Sequence, residues 1–259
     1  MLEPARASLL AIATAAASSA CSEGRLDAID LSPDALSTDL TTDLMAHYTF
    51  DDGSGTVVSD HSGNKRNGTL VGGKWITGGR FGGALHLDGA SYVTVDNFPN
   101  APSSFTVSTW TRTGTRYDGG YETVASTELV FDGGWQVNVV NPADGAIGLQ
   151  TAYWDNVVGV DGGYTYGSCT CLPRDEWAHV AFVVDRAAST MTMYVNGKVV
   201  SVATAPGPIS AGTPQLFIGR WSLTGRLLIG DVDDMAIYGR ALAEADVLAL
   251  EKQPAPDVP

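Results

Sequence analysis

Basic charge, glutamate and long apolar runs are all scarce in this chain, and each scarcity removes a class of function. Only 15 Lys and Arg stand against 29 Asp and Glu, a formal net charge of −14. Such a surface repels a phosphate backbone, so nucleic acid is excluded as a partner. The one marked apolar run, Ser8 to Ala20, is too short to cross a bilayer of about 30 Å as a helix. Glutamates are few in the folded part, where Glu122, Glu128, Glu176, Glu244 and Glu251 lie far apart. There is no alternating acidic strand of the Glu-x-Asp-x-x-Glu kind, which would set two glycosidase carboxylates roughly 5–10 Å apart. A Gly-x-Ser-x-Gly elbow, a His-Glu-x-x-His helix and a phosphate-binding glycine loop are missing as well.

What is present points to a packed, loop-rich domain. Hydrophobic residues make up 44% and charged residues 17% of the chain, enough for a sizeable core and against global disorder. Asp outnumbers Glu threefold. Asp favours turns, where its short side chain bonds its own backbone, and oxygen-rich loops are where hard cations bind. The 259 residues fit one large all-β domain.

The organisation along the chain follows from local composition. Arg6 and the small, apolar run SLLAIATAAASSA have the form of a signal peptide over residues 1–20. Cleavage before Cys21 would leave that cysteine as the N-terminus, the arrangement used for lipid attachment, although Ser18 stands where such boxes usually carry Leu. The alternative is an uncleaved N-terminus. Residues 21–43 are acidic, lack aromatic residues and show no sustained period, as expected of a disordered tether. The folded unit is expected over 44–251, and the Pro-rich tail 252–259 is expected to fray.

Within 44–251, short apolar runs alternate with turn chemistry: LMAHYTF, ALHL, SYVTV, SFTVSTWTRT, WQVNVV, AIGLQTA, WAHVAFVVD, TMTMYV, KVVSVA, QLFIG and MAIY. Asn196-Gly197 joins two of these runs and predicts a tight type I′ hairpin. Paired glycines such as Gly72-Gly73, Gly82-Gly83 and Gly133-Gly134 also favour turns over helices. One helix is expected in RALAEADVLALEK, with Leu242, Ala245, Leu248 and Ala249 on one face, capping an end of the domain and stopped by Pro254.

Four stretches, taken together and in order, resemble the LamG-like jelly-roll family of the concanavalin A-like lectin/glucanase superfamily. They are Tyr48 to Gly55 with Asp60-His-Ser-Gly-Asn64 and Asn67-Gly-Thr-Leu70; Gly79-Arg-Phe-Gly-Gly-Ala-Leu-His-Leu-Asp-Gly89; Phe105 to Trp110 with Trp177-Ala-His-Val-Ala181 and Tyr194-Val-Asn-Gly197; and Gly230-Asp-Val-Asp-Asp234 running to Leu242. The resemblance implies an all-β fold, a two-sheet antiparallel jelly-roll sandwich with one short C-terminal helix and the last strand beside the first. Residues 111–174 match least, so a specificity of this protein's own is expected there.

Three groups of residues are candidates for chemistry. Bringing the first and last strands together would gather aspartates for a structural calcium ion, with Asp51 and Asp233 the first choices, then Asp60 and Asp234, and carbonyls near Asn64 and Asn67 completing an oxygen shell. Relatives of this fold often carry such an ion; otherwise these carboxylates cap turns. Cys169 and Cys171, one residue apart, are expected to form a disulfide in an oxidising compartment once Cys21 is lipidated, the alternatives being free thiols or a metal site. His179 is expected to be structural. Trp154, Asp155, Asn156, Tyr164 and Tyr166, with Tyr117 and Tyr121 nearby, suit sugar rings, since aromatic faces stack on C–H and amides direct hydroxyls, although Tyr and Trp also fill cores. The function expected is a non-catalytic, carbohydrate-binding or adhesion module, exported and held at the cell envelope, touching membrane only through a lipid anchor. A module binding an extracellular protein, or a glycan-degrading enzyme, is the alternative, because fold alone supplies no reaction.

Overall fold

The structure is a computed structural model that describes residues 39–114, 120–128, 133–141, 147–154, 164–205, 207–222 and 225–259, without the side chains of 164–166. The described residues fall within one compact unit. They hold strands β1 (Leu44–Tyr48), β2 (Val57–Val58), β3 (Gly68–Val71), β4 (Lys74–Thr77), β5 (Gly83–Asp88), β6 (Tyr92–Asp96), β7 (Phe105–Thr113) and β8 (Tyr121–Ser126). After these come β9 (Trp135–Val140), β10 (Gly148–Trp154), β11 (Tyr164–Cys169), β12 (Ala178–Asp185), β13 (Thr190–Val195), β14 (Lys198–Thr204), β15 (Gln215–Ile218), β16 (Ile229–Tyr238) and one helix, α1 (Glu244–Lys252).

The strands form two antiparallel sheets. The first runs β14-β13-β12-β7-β16-β5-β4 with β1 also on β16, and the second runs β11-β10-β9-β8-β15-β6-β3-β2. Between them lies the main core, in which Phe105, Trp135, Tyr153 and Phe182 are fully buried. Phe105 meets the Phe182 ring edge-on at 5.2 Å. The Asn196-Gly197 hairpin forms as expected: both residues have positive φ, 48° and 71°, and Val195 pairs with Lys198 across the turn.

The last strand lies beside the first. Ile229–Val232 of β16 pairs with β5, and Met235–Tyr238 pairs with β1. A register shift against β7 between Asp233 and Ala236 separates these halves. Asp234, at φ 42°, sits in that shift and turns toward β1.

The helix differs from expectation. It begins at Glu244 and buries Asp246, Val247 and Leu250, while Ala245 is exposed and Leu248 and Ala249 are half-buried; of the expected face only Leu242, ahead of the helix, is buried. It covers the outer face of the first sheet, joining Ala181, Val183, Tyr194, Ala236 and Tyr238 in a second apolar cluster. Burying Val247 and Leu250 contributes roughly 1.5–3 kcal/mol each. This cover makes β12 apolar on both faces, a pattern that alternation alone does not foretell. The folded unit also passes residue 251. Rather than fraying, the tail places Ala255 in the same cluster, and the Val258 amide donates to the His61 carbonyl at 2.7 Å.

Candidate functional site

The first polar concentration surrounds the β1–β16 seam. His47, fully buried, meets Asp234 through Nε2 at 2.8 Å, and the Ala255 amide donates to the other Asp234 oxygen. Burial raises the Asp234 carboxyl above its ordinary range, opposed by its bond to His47. Asp60 accepts from the His47, Ser62 and Arg66 amides. Burial pushes its carboxyl up, but these donors outweigh that and hold it below the usual value. His47, Thr49, Asp51, Phe81, Asp234 and the tail residues 253–257 line a cavity of about 510 Å³.

Asp51 and Asp233 both reach the loop before β5. The Gly83 amide donates to Asp51 Oδ1 at 2.5 Å, and the Phe81 amide donates to Asp233 Oδ2 at 2.9 Å. Asp233 is fully buried and its Oδ1 has no partner; burial pushes its carboxyl up to about 7 against the Phe81 bond, and Asp234 adds to the rise. The four aspartates expected to bind calcium are therefore brought to one region, but as two pairs, each engaged with protein donors. Among the described residues no three His, Cys, Asp or Glu side chains are grouped to hold a metal ion. Asn64 and Asn67, expected to lend carbonyls, brace the same region: Asn64 Nδ2 donates to the Leu44 carbonyl and the Asp60 amide donates to Asn67 Oδ1.

The second concentration lies on the outer face of the second sheet. Alternation sends Trp135, Val137, Val139, Leu149 and Tyr153 into the core and leaves Gln136, Asn138, Val140, Gln150 and Trp154 on the far side. There Tyr121, Val140, Gly148, Gln150, Ser168, Cys169 and Thr170 line a cavity of about 380 Å³. Tyr121 is 39% exposed and so presents its ring. Cys169 and Cys171 are joined by a disulfide; Cys169 lines this cavity, and both cysteines pack against the core between the sheets.

A loop after β15 is fastened over the same face. The Gly219 amide donates to the Val124 carbonyl, the Leu228 amide to the Gly219 carbonyl, and the Thr123 amide to the Arg226 carbonyl at 2.7 Å. Arg226, at φ 50°, is thereby pinned to β8. Its guanidinium lies over Tyr121 at 5.1 Å and Trp221 at 4.5 Å, and donates to Gln136 Oε1 at 3.2 Å. Glu122, adjacent to Tyr121, is buried, accepting from Asn141 Nδ2 and the Ile229 amide.

Of the residues expected to meet sugar, Trp154 ends β10 and is buried, with its backbone bonded to Gly134 and Ser210, so it offers no open stacking platform. Asp155, Asn156 and Tyr117 lie outside the described residues, as do the side chains of Tyr164 and Tyr166 on β11 and the lipidation candidate Cys21. Gln150, Ser168 and Arg226 were missed. The outward parity of Gln150 within GLQTAYW is a usable signal, whereas nothing in sequence brings Arg226 to β8.

Comparison with known proteins agrees with this architecture. The family model for the concanavalin A-like lectin/glucanases superfamily matches residues 87–248. No curated protein matches the chain. Among solved structures, the binding domain of Paraclostridial Mosquitocidal Protein 1 is 20% identical with a TM-score of 0.65, covering 82% of this chain and 52% of that one. The botulinum neurotoxin serotype G binding domain is 18% identical with a TM-score of 0.63, covering 81% and 50%. The receptor binding domain of botulinum neurotoxin D is 12% identical with a TM-score of 0.62, covering 82% and 53%. The chain thus spans about half the length of each, and the likeness is one of fold.

Proposed function

We propose that this chain, which belongs to the concanavalin A-like lectin/glucanases superfamily across residues 87–248, is a non-catalytic binding module that takes carbohydrate on the outer face of its second sheet. The observation that carries this is the cavity of about 380 Å³, where the exposed Tyr121 ring stands beside the Gln150 amide and the Ser168 hydroxyl. A sugar stacks its C–H face on an aromatic ring while amide and hydroxyl groups direct its hydroxyls. The larger cavity at the β1–β16 seam is a weaker candidate, because its polar groups bond one another and its far wall is the chain's own tail. Export to the envelope is part of the proposal, supported by the signal-like run, by Cys21 and by a disulfide suited to an oxidising compartment.

A structural calcium ion between Asp51 and Asp233 is a second element, favoured by the buried, unpartnered Asp233 Oδ1. Loop carbonyls would have to supply most of its six to eight oxygens.

The test is binding of the full chain to a glycan array. Tyr121→Ala and Gln150→Ala should each lose the signal at an unchanged melting temperature. Binding to envelope extracts that survives deglycosylation would favour a protein partner, and turnover of a bound polysaccharide would make the chain an enzyme.

A further inference from the structure

Resting on the reading of the outer face as the glycan site, we propose that its ligand is an acidic sugar, one carrying a carboxylate or sulfate, and that Arg226 receives that group. The arginines of this acidic protein are engaged in different ways. Arg112 bonds Asp231 at 2.7 Å and Arg240 reaches Asp246 at 3.3 Å. Arg66 and Arg186 donate to the backbone carbonyls of Met45 and Ala205. Arg226 has no acidic side chain within ion-pair distance among the described residues, and the one hydrogen bond its guanidinium makes among them goes to the neutral Gln136. Among the described residues Arg66, Arg80 and Arg186 also lack a carboxylate partner, but of these four half-engaged arginines only Arg226 touches a residue that lines the outer-face cavity.

The position of Arg226 matters as much as its charge. Tyr121 lies under its guanidinium at 5.1 Å and also lines the cavity, so the cation is one side chain away from it. Trp221 on its other contact is 93% shielded, which removes water from that side of the group. A guanidinium presents five N–H donors in a planar fork suited to paired oxygens, and one bond to Gln136 leaves most of them unspent. Two aromatic contacts and a backbone bond hold the fork in place before a ligand arrives, so little entropy is lost in forming the pair. Further along the sheet, Asn138 is fully buried between Thr123 and Gln150 in register, and its Nδ2 has no partner among the described residues. The carboxylate beside Tyr121 in sequence, Glu122, is engaged with Asn141 and Ile229 and does not compete for the cation.

The experiment uses the full chain on an array that prints sialylated and uronic acid glycans beside their carboxyl methyl esters, and sulfated glycans beside their unsulfated parents. The unmodified protein should bind the acidic member of a pair roughly ten- to a hundredfold more tightly, the worth of one charge-assisted pair. Arg226→Gln should remove that preference while the weaker neutral binding stays, and Arg226→Lys should keep part of it. Loss on esterification alone would assign a carboxylate, and loss on desulfation alone a sulfate ester. Equal binding of acidic and neutral members overturns the inference and leaves the glycan reading standing, as does a preference that persists in Arg226→Gln. Binding to no glycan overturns both. Should Arg226→Gln fail to fold, the paired neutral and acidic probes on the unmodified protein still decide.

Discussion

His179 makes the stability of the domain depend on acid in a way that can be worked through. Its side chain is fully buried, with Nε2 2.8 Å from Ser108 Oγ and Nδ1 unpartnered. The neighbouring Trp110 ring, 5.4 Å away, carries the Arg80 guanidinium on it. Burial first, and the Arg80 charge second, lower its pKa from 6.5 to about 4. Between those values the unfolded chain binds a proton that the folded chain refuses, so stability present above pH 6.5 is lost as pH falls toward 4. At 1.36 kcal/mol per unit, the loss reaches about 2 kcal/mol at pH 5 and about 3 kcal/mol at pH 4. For a domain of this size, 2 kcal/mol is a fall of roughly 4–8 °C in melting temperature. Carboxylates also titrate in this range, so the measurement is the difference between the unmodified protein and His179→Gln, which keeps a polar group for Ser108 but cannot ionise. The variant should be less stable at pH 7.5, and its deficit should shrink by that amount at pH 5. Parallel melting curves across pH 5–7.5 would refute the reasoning.

Gly79→Ala should destabilise the domain by several kcal/mol in urea unfolding, because its Cβ would fall 1.7 Å from the rigid Gly83 carbonyl. If Asp51 and Asp233 share calcium, an ion concentration a hundredfold above its dissociation constant should stabilise the fold by about 2.7 kcal/mol, and Asp233→Asn should abolish the shift; identical melting curves in calcium and chelator would return both residues to loop anchoring. Reducing the Cys169–Cys171 bridge should cost only about 1–2 kcal/mol, since the loop it closes is so short, and because Cys169 lines the proposed glycan cavity its release should also weaken any glycan binding measurably. A loss of stability with unchanged affinity would separate the bridge from the site.

Elements that chemistry dictates locally were legible. The Asn196-Gly197 turn demands two positive φ angles in succession, and that dipeptide meets the demand. Short apolar runs between turn residues marked β9, β12 and β13, and the pairing of the first strand with the last followed from the family resemblance. The helix face was not legible, because small residues such as Ala245 and Ala249 read as apolar by type. Asp246, the residue that is buried with Val247 and Leu250, is made tolerable there by Arg240, six residues earlier. The tail was misread for a related reason. Proline-rich composition predicts fraying only when nothing receives the chain, and here His61 and Asp234 accept its backbone amides.

The candidate site divides along the same line. Gln150 can be read as outward from its place in β10, and Tyr121 is marked by its aromatic ring among glycines. Arg226 reaches Tyr121 only because the Thr123 amide, far away in sequence, captures the Arg226 carbonyl while the Gly219 amide bonds the Val124 carbonyl. Residues whose role depends on such a closure carry no local signature. A sandwich of this kind therefore shows its core and turns in sequence, while the outer face proposed to bind takes its form only when distant loops are laid on the sheet.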